Sequence, residues 1–320
     1  MSIEEITLQE LRPAEFIAQQ VRAVSEAVGS GLAINALSGG VDSSTVTMLG
    51  HKALGDRLLS YFVENGIMRQ GEPERVVEVF RRLGVRVKVI DARQQFFDAL
   101  RGVTDPEQKR EAITQTFYKA VFGRLVKESG ARHLLQGTIL TDVEETVAGV
   151  KRQHNILAQL GIDTEELYGY QLVEPLVQLR KPAVRVVAKA LGLPEEVANR
   201  PPFPGPALAA RVIGEVTPER VEIVRAATAI VEEELAHTGA FQYMAILHED
   251  RVTGLRDGKR DFGLQIEVRC WESQDARTGS PTRLPYETLE RLAERITQVG
   301  GVVSVTYNIT RKPPSTIEAV

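Results

Sequence analysis

Apolar residues along this chain fall into two rhythms. Between residue 30 and about residue 193, short β-branched runs alternate with stretches in which apolar residues recur every three or four positions. The runs at 32–37, 58–64 (LLSYFVE), 85–90 (VRVKVI) and 133–136 (HLLQ) predict strands, and the spacings over 72–83 and 105–127 predict amphipathic helices. Strands separated by helices in this way form a parallel sheet with crossover helices, an α/β arrangement. The pattern stops at NRPPFPG, residues 199–205, followed by a further proline, where regular helix or central strand is forbidden. Beyond it the rhythm predicts a helix over 217–236, strands over 241–247 and 262–270, a helix over 286–299 and a strand over 302–309. That order suits a small α+β domain built on one sheet. Two domains are therefore expected, 1–200 and 201–320, in a chain near the length at which single cores divide. The last ten residues, RKPPSTIEAV, cannot continue a strand through their prolines, so they are expected to form either a disordered end or a lid. No internal repeat or low-complexity tract interrupts the pattern.

Composition narrows the range of functions. An apolar fraction of 43% and a charged fraction of 26% are those of an ordinary globular protein, and the apolar runs are too short to span a bilayer. The acidic opening MSIEEITLQELRPAEF lacks the basic and apolar regions of a secretory signal, so a soluble, cytoplasmic protein without a membrane partner is expected. The single cysteine, Cys270, excludes an intrachain disulfide, a four-cysteine zinc site and a C-x-x-C relay. A net charge of −4 provides no general attraction for nucleic acid, which is not an expected partner.

Candidate chemistry begins at LSGGVDSSTVTMLGHKAL, residues 37–54, where a strand gives way to a helix through two glycines. Main-chain N–H groups collect there at the positive end of a helix, glycines admit a close ligand, and Ser38, Ser43 and Ser44 add hydroxyls, a combination suited to phosphate oxygens. The stretch matches neither G-x-x-x-x-G-K-[ST] nor G-x-G-x-x-G. Asp42 would repel polyphosphate unless a cation lay between them, which points to Mg²⁺. The turn chemistry alone leaves a second reading open, an ordinary βα turn capped by Ser38 or Asp42.

The heptapeptide SGGVDSS resembles the pyrophosphate-binding loop of the N-type ATP pyrophosphatases, which cleave ATP between its α and β phosphates. Together with FVENGIMR (62–69), DPEQKR (105–110), GTILTDVEET (137–146), PFPGPALAARVIGEV (202–216) and KPPSTIE (312–318), in that order over nearly the whole chain, it resembles the synthetase part of GMP synthetase. The resemblance implies a parallel sheet with helices on both faces and a C-terminal dimerisation domain. It also implies ATP as substrate, Mg²⁺, adenylation of the 2-oxygen of xanthosine 5′-monophosphate (XMP), and displacement of AMP by ammonia to give GMP. On this reading Ser38, Gly39, Gly40, Val41, Asp42, Ser43, Ser44, Gly137, Thr138 and Lys181 hold ATP and the leaving pyrophosphate. Val63 and Gly66 lie where adenine rests, and Asp42 and Asp142 contact metal. Lys151, His154, Asn155, Pro204, Gly205, Arg211, Lys312, Thr316, Ile317 and Glu318 hold the acceptor nucleotide. Read without the resemblance, Lys181 is a solvated helix-start lysine, Val63 is core, Asp142 is a cap, and Arg211 pairs with a surface carboxylate.

Several positions depart from the family pattern. Gln153 stands where it has a histidine, ILAQLG (156–161) replaces V-G-G-L-P, and Ala207 replaces the last glycine of P-F-P-G-P-G. Pro201 stands where histidine or methionine is frequent, Thr114 and Gln115 replace a glycine-arginine pair, residues 181–185 read KPAVR for K-D-E-V-R, and the chain ends Ala319-Val320. These changes crowd the acceptor side, and so an ATP pyrophosphatase with another oxo-purine, pyrimidine or carbonyl acceptor is kept as an alternative, and a non-catalytic nucleotide-binding partner as another. Cys270, inside a strand pattern, is read as a buried small residue and not as a glutaminase nucleophile. Ammonia is then expected from a separate glutaminase subunit or from solution.

Overall fold

The computed structural model describes residues 3–147, 170–200, 203–256, 258–274 and 277–319. The chain folds as two compact units, one of residues 1–64, 72–91 and 117–200, the other of 65–71, 92–116 and 201–320. The second unit thus borrows two segments from the first half of the sequence. No local periodicity signals this, because it follows from which surfaces each segment buries.

In the first unit, helix α1 (Pro13–Val28) leads into β1 (Ala33–Ala36), α2 (Val41–Leu54), β2 (Leu58–Glu64), α3 (Glu72–Arg82) and β3 (Val87–Asp91). Helices α4 (Arg93–Leu100) and α5 (Pro106–Gln115) belong to the second unit. The first resumes with α6 (Gly123–Ser129), β4 (His133–Leu135), α7 (Leu140–Val147), β5 (Gln171–Val173), α8 (Lys181–Ala190) and α9 (Glu195–Ala198). The five strands form one parallel sheet in the order β3-β2-β1-β4-β5. Strand β2 is buried at nearly every position, as an inner parallel strand covered on both faces must be, while β3 at the sheet edge leaves Val89 exposed. The helix expected over 105–127 starts at a side-chain cap. The Asp105 carboxylate accepts the Gln108 N–H at 2.9 Å and Pro106 occupies the first turn. It is interrupted by a π-helical turn, Thr116–Phe122, across which the rings of Phe117 and Phe122, five residues apart, stack at 5.8 Å.

The C-terminal part of the second unit contains α10 (Pro218–Leu235), β6 (Gln242–Arg256), β7 (Lys259–Glu272), β8 (Ser280–Pro281), α11 (Tyr286–Thr297) and β9 (Val302–Tyr307). Thr217 caps α10 by accepting the Arg220 N–H at 3.3 Å. Strands β6 and β7 form an antiparallel ladder with a register shift between Leu247 and Arg251, and β9 adds to β7 in parallel. Both hairpin strands run further than the apolar pattern predicts. The charged stretch HEDR ends the alternation but not the backbone pairing, which side-chain polarity does not govern in an exposed hairpin arm. Cys270 is fully buried in β7, and burial pushes its thiol above the usual range. Among the described residues no helix is long and apolar enough to cross a membrane.

Candidate active site

The parallel sheet fixes where a ligand can sit. From β1 the chain steps outward to β2 and β3, and then returns to place β4 and β5 on the other side of β1. The direction of winding reverses between β1 and β4, and the crevice beyond the carboxyl ends of those two strands is where open α/β sheets bind their ligands. Residues 37–40 leave β1 into that crevice and residues 136–139 leave β4 into it. The two turns touch: a Cβ on Gly137 would lie 3.1 Å from the Asp42 carbonyl carbon and the Ser43 nitrogen. Gly137 therefore lets the second turn lie against the first turn of α2. Thr138 beside it is buried.

Gly40 is the N-cap of α2, and no side chain caps the helix. The N–H groups of its first turn have no intrahelical acceptors, and neither Ser38 nor Asp42 caps the helix, although Ser38 Oγ accepts the Gly40 N–H at 3.4 Å across the turn. The serine hydroxyls shape the loop: Ser38 and Ser43 hydroxyls lie 2.9 Å apart, the Ser38 N–H donates to Ser43 Oγ at 3.2 Å, and Ser43 Oγ donates to the Gly40 carbonyl at 3.1 Å. Ser38 is exposed, whereas Val41 and Ser44 face the core, Ser44 Oγ being buried without a hydrogen-bond partner.

Asp42 carries an ion pair from Lys181, at the start of α8, on its Oδ2. Its Oδ1 is buried and has no hydrogen-bond partner. An orphaned carboxylate oxygen beside an uncapped helix N-terminus fits Mg²⁺, which takes one or two protein carboxylates and completes its shell with phosphate and water. Asp142 fits less directly, since its Oδ2 accepts the Ile139 N–H at 3.0 Å, as a cap aspartate at the start of α7 does. Among the described residues no group of three or more His, Cys, Asp or Glu side chains gathers to hold a metal. Lys151, His154 and Asn155, with the altered Gln153 and ILAQLG, lie outside the described residues.

Two residues at this loop carry no sequence signal. Glu72, only 2% exposed, binds the Arg200 guanidinium through both oxygens, the Oε2 contact being 2.6 Å, and Arg200 Nη1 also reaches the Gly39 carbonyl at 3.3 Å. Gly39 has φ of 76°, and a Cβ there would come within 2.8 Å of both Glu72 Oε1 and Val76 Cγ2. The glycine is thus enclosed by an ion pair between the buried Glu72 and the part-buried Arg200, 128 residues apart. In the sequence Glu72 reads as an acidic residue in a first helical turn and Arg200 as part of a proline-rich loop.

Val63 is buried in β2, as a core residue is. Gly66 lies in the 65–71 turn with φ of 78°, packed against Phe97. Its carbonyl accepts from Arg225 of α10 at 2.6 Å.

The acceptor candidates of the second unit converge on the chain end. The described part of the tail, residues 311–319, is packed and not a disordered end. Lys312 exchanges two main-chain hydrogen bonds with Gly279, at 3.0 and 3.1 Å. The Ile317 side chain joins Met244, Ile246 and Trp271 in a buried cluster, and Thr316 Oγ1 donates to the Glu318 carbonyl at 2.5 Å. Arg211, expected at the surface if it served only a structural pair, is instead 1% exposed, with its Nε 3.9 Å from Glu318 Oε2. Burial lowers its affinity for the proton, with Glu318 opposing that effect. Arg211 Nε and Nη1 and Glu318 Oε2 are buried without hydrogen-bond partners, an incomplete polar set that suits a ligand with both N–H donors and acceptor oxygens. Phe203, just before Pro204 and the exposed Gly205, lies under the guanidinium groups of Arg69 and Arg211 at 4.0 and 4.9 Å. Lys109, from DPEQKR, is buried and donates to the Val212 carbonyl at 2.8 Å, bracing the residue after Arg211. Its burial lowers its pKa to about 8.

Ala207 has φ of 52°, the only non-glycine residue with positive φ among those described. It stands where the family pattern has glycine, so the substitution carries backbone strain of roughly 1–2 kcal/mol. Ala207→Gly is expected to raise stability by about 0.5–1 kcal/mol, the relieved strain exceeding the added entropy of the unfolded chain. Thermal unfolding checks this, and a lowered midpoint would contradict it.

Comparison with known proteins matches residues 13–207 to the NAD synthase family and residues 229–319 to the GMP synthase C terminal domain. The fold and loop are therefore those of a nucleotide-binding ATP pyrophosphatase. A glutamine-hydrolyzing GMP synthase subunit of Archaeoglobus fulgidus, the one designated B, is 48% identical over 305 residues, 95% of this chain and 98% of that protein. The corresponding protein of Pyrococcus horikoshii is 48% identical over 307 residues with the same coverage, and that of Methanopyrus kandleri 44% over 315 residues, 96% of this chain and 98% of that protein. The chain belongs to this family of GMP synthase subunits, which are ligases.

Proposed function

We propose that this protein aminates XMP to GMP, using ATP and releasing AMP and pyrophosphate. The observation that carries the reading is the pairing of two incompletely satisfied polar sites in a member of this family. One is the uncapped start of α2 with the orphaned Asp42 oxygen, and the other is the buried Arg211–Glu318 set at the chain end. ATP adenylates the 2-oxygen of the base, turning a poor leaving group into AMP, and ammonia then displaces it. The first-turn N–H groups of α2, with the hydroxyls of Ser38 and Ser43, hold the departing pyrophosphate, and Lys181 moves from Asp42 to a phosphate oxygen. Asp42 would hold Mg²⁺, with Asp142 as a further contact, and the ion would supply positive charge beside the phosphates. Catalysis is mainly positioning and electrostatics, and no side-chain nucleophile is required.

Residues 1–200 serve ATP, and residues 201–320 serve the acceptor and a homodimer contact. Ammonia comes from a separate glutaminase subunit, since Cys270, the one cysteine, is buried with a raised thiol pKa. The reaction is placed in the cytoplasm. With ATP, Mg²⁺, XMP and ammonium at mildly alkaline pH, the purified chain is expected to yield GMP, AMP and pyrophosphate. Glutamine alone should give none without the glutaminase. ATP cleavage that ignores XMP would defeat the reading.

A further inference from the structure

Two successive peptide units at the turn before α2 have their carbonyl oxygens taken. The Gly40 carbonyl accepts the Ser44 N–H at 3.0 Å and the Ser43 hydroxyl at 3.1 Å. The Gly39 carbonyl accepts from Arg200, just after α9. Arg200 Nη1 reaches that oxygen at 3.3 Å and also donates to Glu72 Oε1, while Nη2 donates to Glu72 Oε2 at 2.6 Å. The peptides of this turn are trans, and a trans peptide points its C=O and N–H in opposite directions. Holding the two oxygens therefore turns the Gly40 and Val41 N–H groups the other way, the Gly40 N–H toward the exposed Ser38, whose Oγ lies 3.4 Å off.

The two clamps differ in origin. The main-chain bond on Gly40 is the first of the helix itself and recurs wherever an α-helix starts. The clamp on Gly39 comes from a side chain 161 positions away, and the peptide it holds lies between two glycines. With no Cβ on either side, such a peptide rotates at little steric cost. Rotated by half a turn, it would offer a carbonyl oxygen, and not an N–H, to an anion. Arg200 is itself held in place, because its guanidinium meets both oxygens of Glu72, a carboxylate only 2% exposed.

We infer that Arg200, aimed by Glu72, is a positioning residue for the anion-binding turn: it fixes the Gly39–Gly40 peptide with its N–H toward the pyrophosphate and does not itself bind a phosphate. The inference rests on the reading that this turn holds pyrophosphate. A peptide rotated for about nine-tenths of the time would lower the apparent affinity for the anion about tenfold. An arginine beside a phosphate turn has a second conceivable role, direct pairing with the phosphate. The two roles differ in sign once Glu72 loses its charge, because a released guanidinium would strengthen direct pairing but would stop steering the peptide.

The test is calorimetric titration of the full-length chain with pyrophosphate and Mg²⁺, together with steady-state kinetics, for Glu72→Gln and Arg200→Lys. Glu72→Gln keeps the shape of the carboxylate and leaves the Arg200 charge in place. Its Kd for pyrophosphate is expected to rise about tenfold, with the KM for ATP rising in parallel and the KM for XMP staying within about twofold. Arg200→Lys keeps the charge but cannot span both Glu72 oxygens and the Gly39 carbonyl, so it should weaken pyrophosphate to a similar extent. If one variant does not fold, the other decides. Unchanged or tighter pyrophosphate binding in a folded variant overturns the inference, as does a KM for XMP that rises as much as the KM for ATP, while wild-type binding of pyrophosphate stands. Wild-type protein that binds no pyrophosphate overturns the reading of the turn itself.

Discussion

Gly39→Ala is expected to reduce ATP cleavage by at least about a hundredfold, equivalent to roughly 3 kcal/mol of lost transition-state stabilisation. Two effects add. An L-residue at φ of 76° costs about 1–2 kcal/mol. The new methyl would also lie 2.8 Å from Glu72 Oε1 and Val76 Cγ2 and 3.2 Å from Arg200 Nη1. A flexible surface side chain would swing aside, but Glu72 is 2% exposed and tied through both oxygens to Arg200. Moving it loosens the ion pair of a buried carboxylate with the part-buried Arg200 and leaves the Glu72 charge poorly compensated. The loop is therefore the part that shifts, and a displacement of about 1 Å at a phosphate site is enough to remove two decades of rate. Thermal unfolding should show a clear loss of stability alongside the lost turnover. Wild-type kinetics in Gly39→Ala would mean that the enclosure of this glycine is irrelevant to the loop's function.

Asp42→Asn should produce an equally large loss by a different route, with the fold retained. Asparagine has the shape of aspartate, and Asp42 is partly exposed, so little packing is disturbed. What disappears is the negative charge that faces Lys181 and suits a divalent cation. Removal of one electrostatic element at developing charge lowers kcat by about 10²–10³-fold, so ATP-to-AMP turnover should fall by that order while the unfolding midpoint moves by only a few degrees. A Mg²⁺ titration gives the more specific readout. The variant should need higher Mg²⁺ for half-maximal activity, whereas a purely structural role would leave that dependence unchanged. Full activity at the wild-type Mg²⁺ requirement would sink the assignment of Asp42.

The start of the site was legible because its chemistry is contiguous. SGGVDSS places glycines, hydroxyls and a carboxylate within one strand-to-helix turn, and the alternation of apolar runs around it identifies the strand and the helix. The starts of the helices expected over 105–127 and 217–236 agree with the structure, where Asp105 and Thr217 each accept a main-chain N–H three residues on. Strand ends were less legible. The β6–β7 hairpin outlasts its apolar pattern, since ladder hydrogen bonds join main-chain atoms whatever side chains they carry. Ala207 could be noted in the sequence as a departure, but only its φ of 52° shows that the change strains the backbone.

The sequence by itself determined the α/β class, the strand-to-helix turn at SGGVDSS, the family and the chain-end motif, because each is carried by neighbours in the chain or by motifs in a fixed order. Tertiary structure decided the rest. It drew residues 65–71 and 92–116 into the second unit, closed Glu72 and Arg200 around Gly39, and buried Arg211 against Glu318. It also selected Gln242 and Arg269 to hold the tail. The physical reason is the same in each case. A buried charge or amide must find a partner wherever the fold brings one within reach, and pairs separated by 128 or 76 positions leave no periodic trace in the chain.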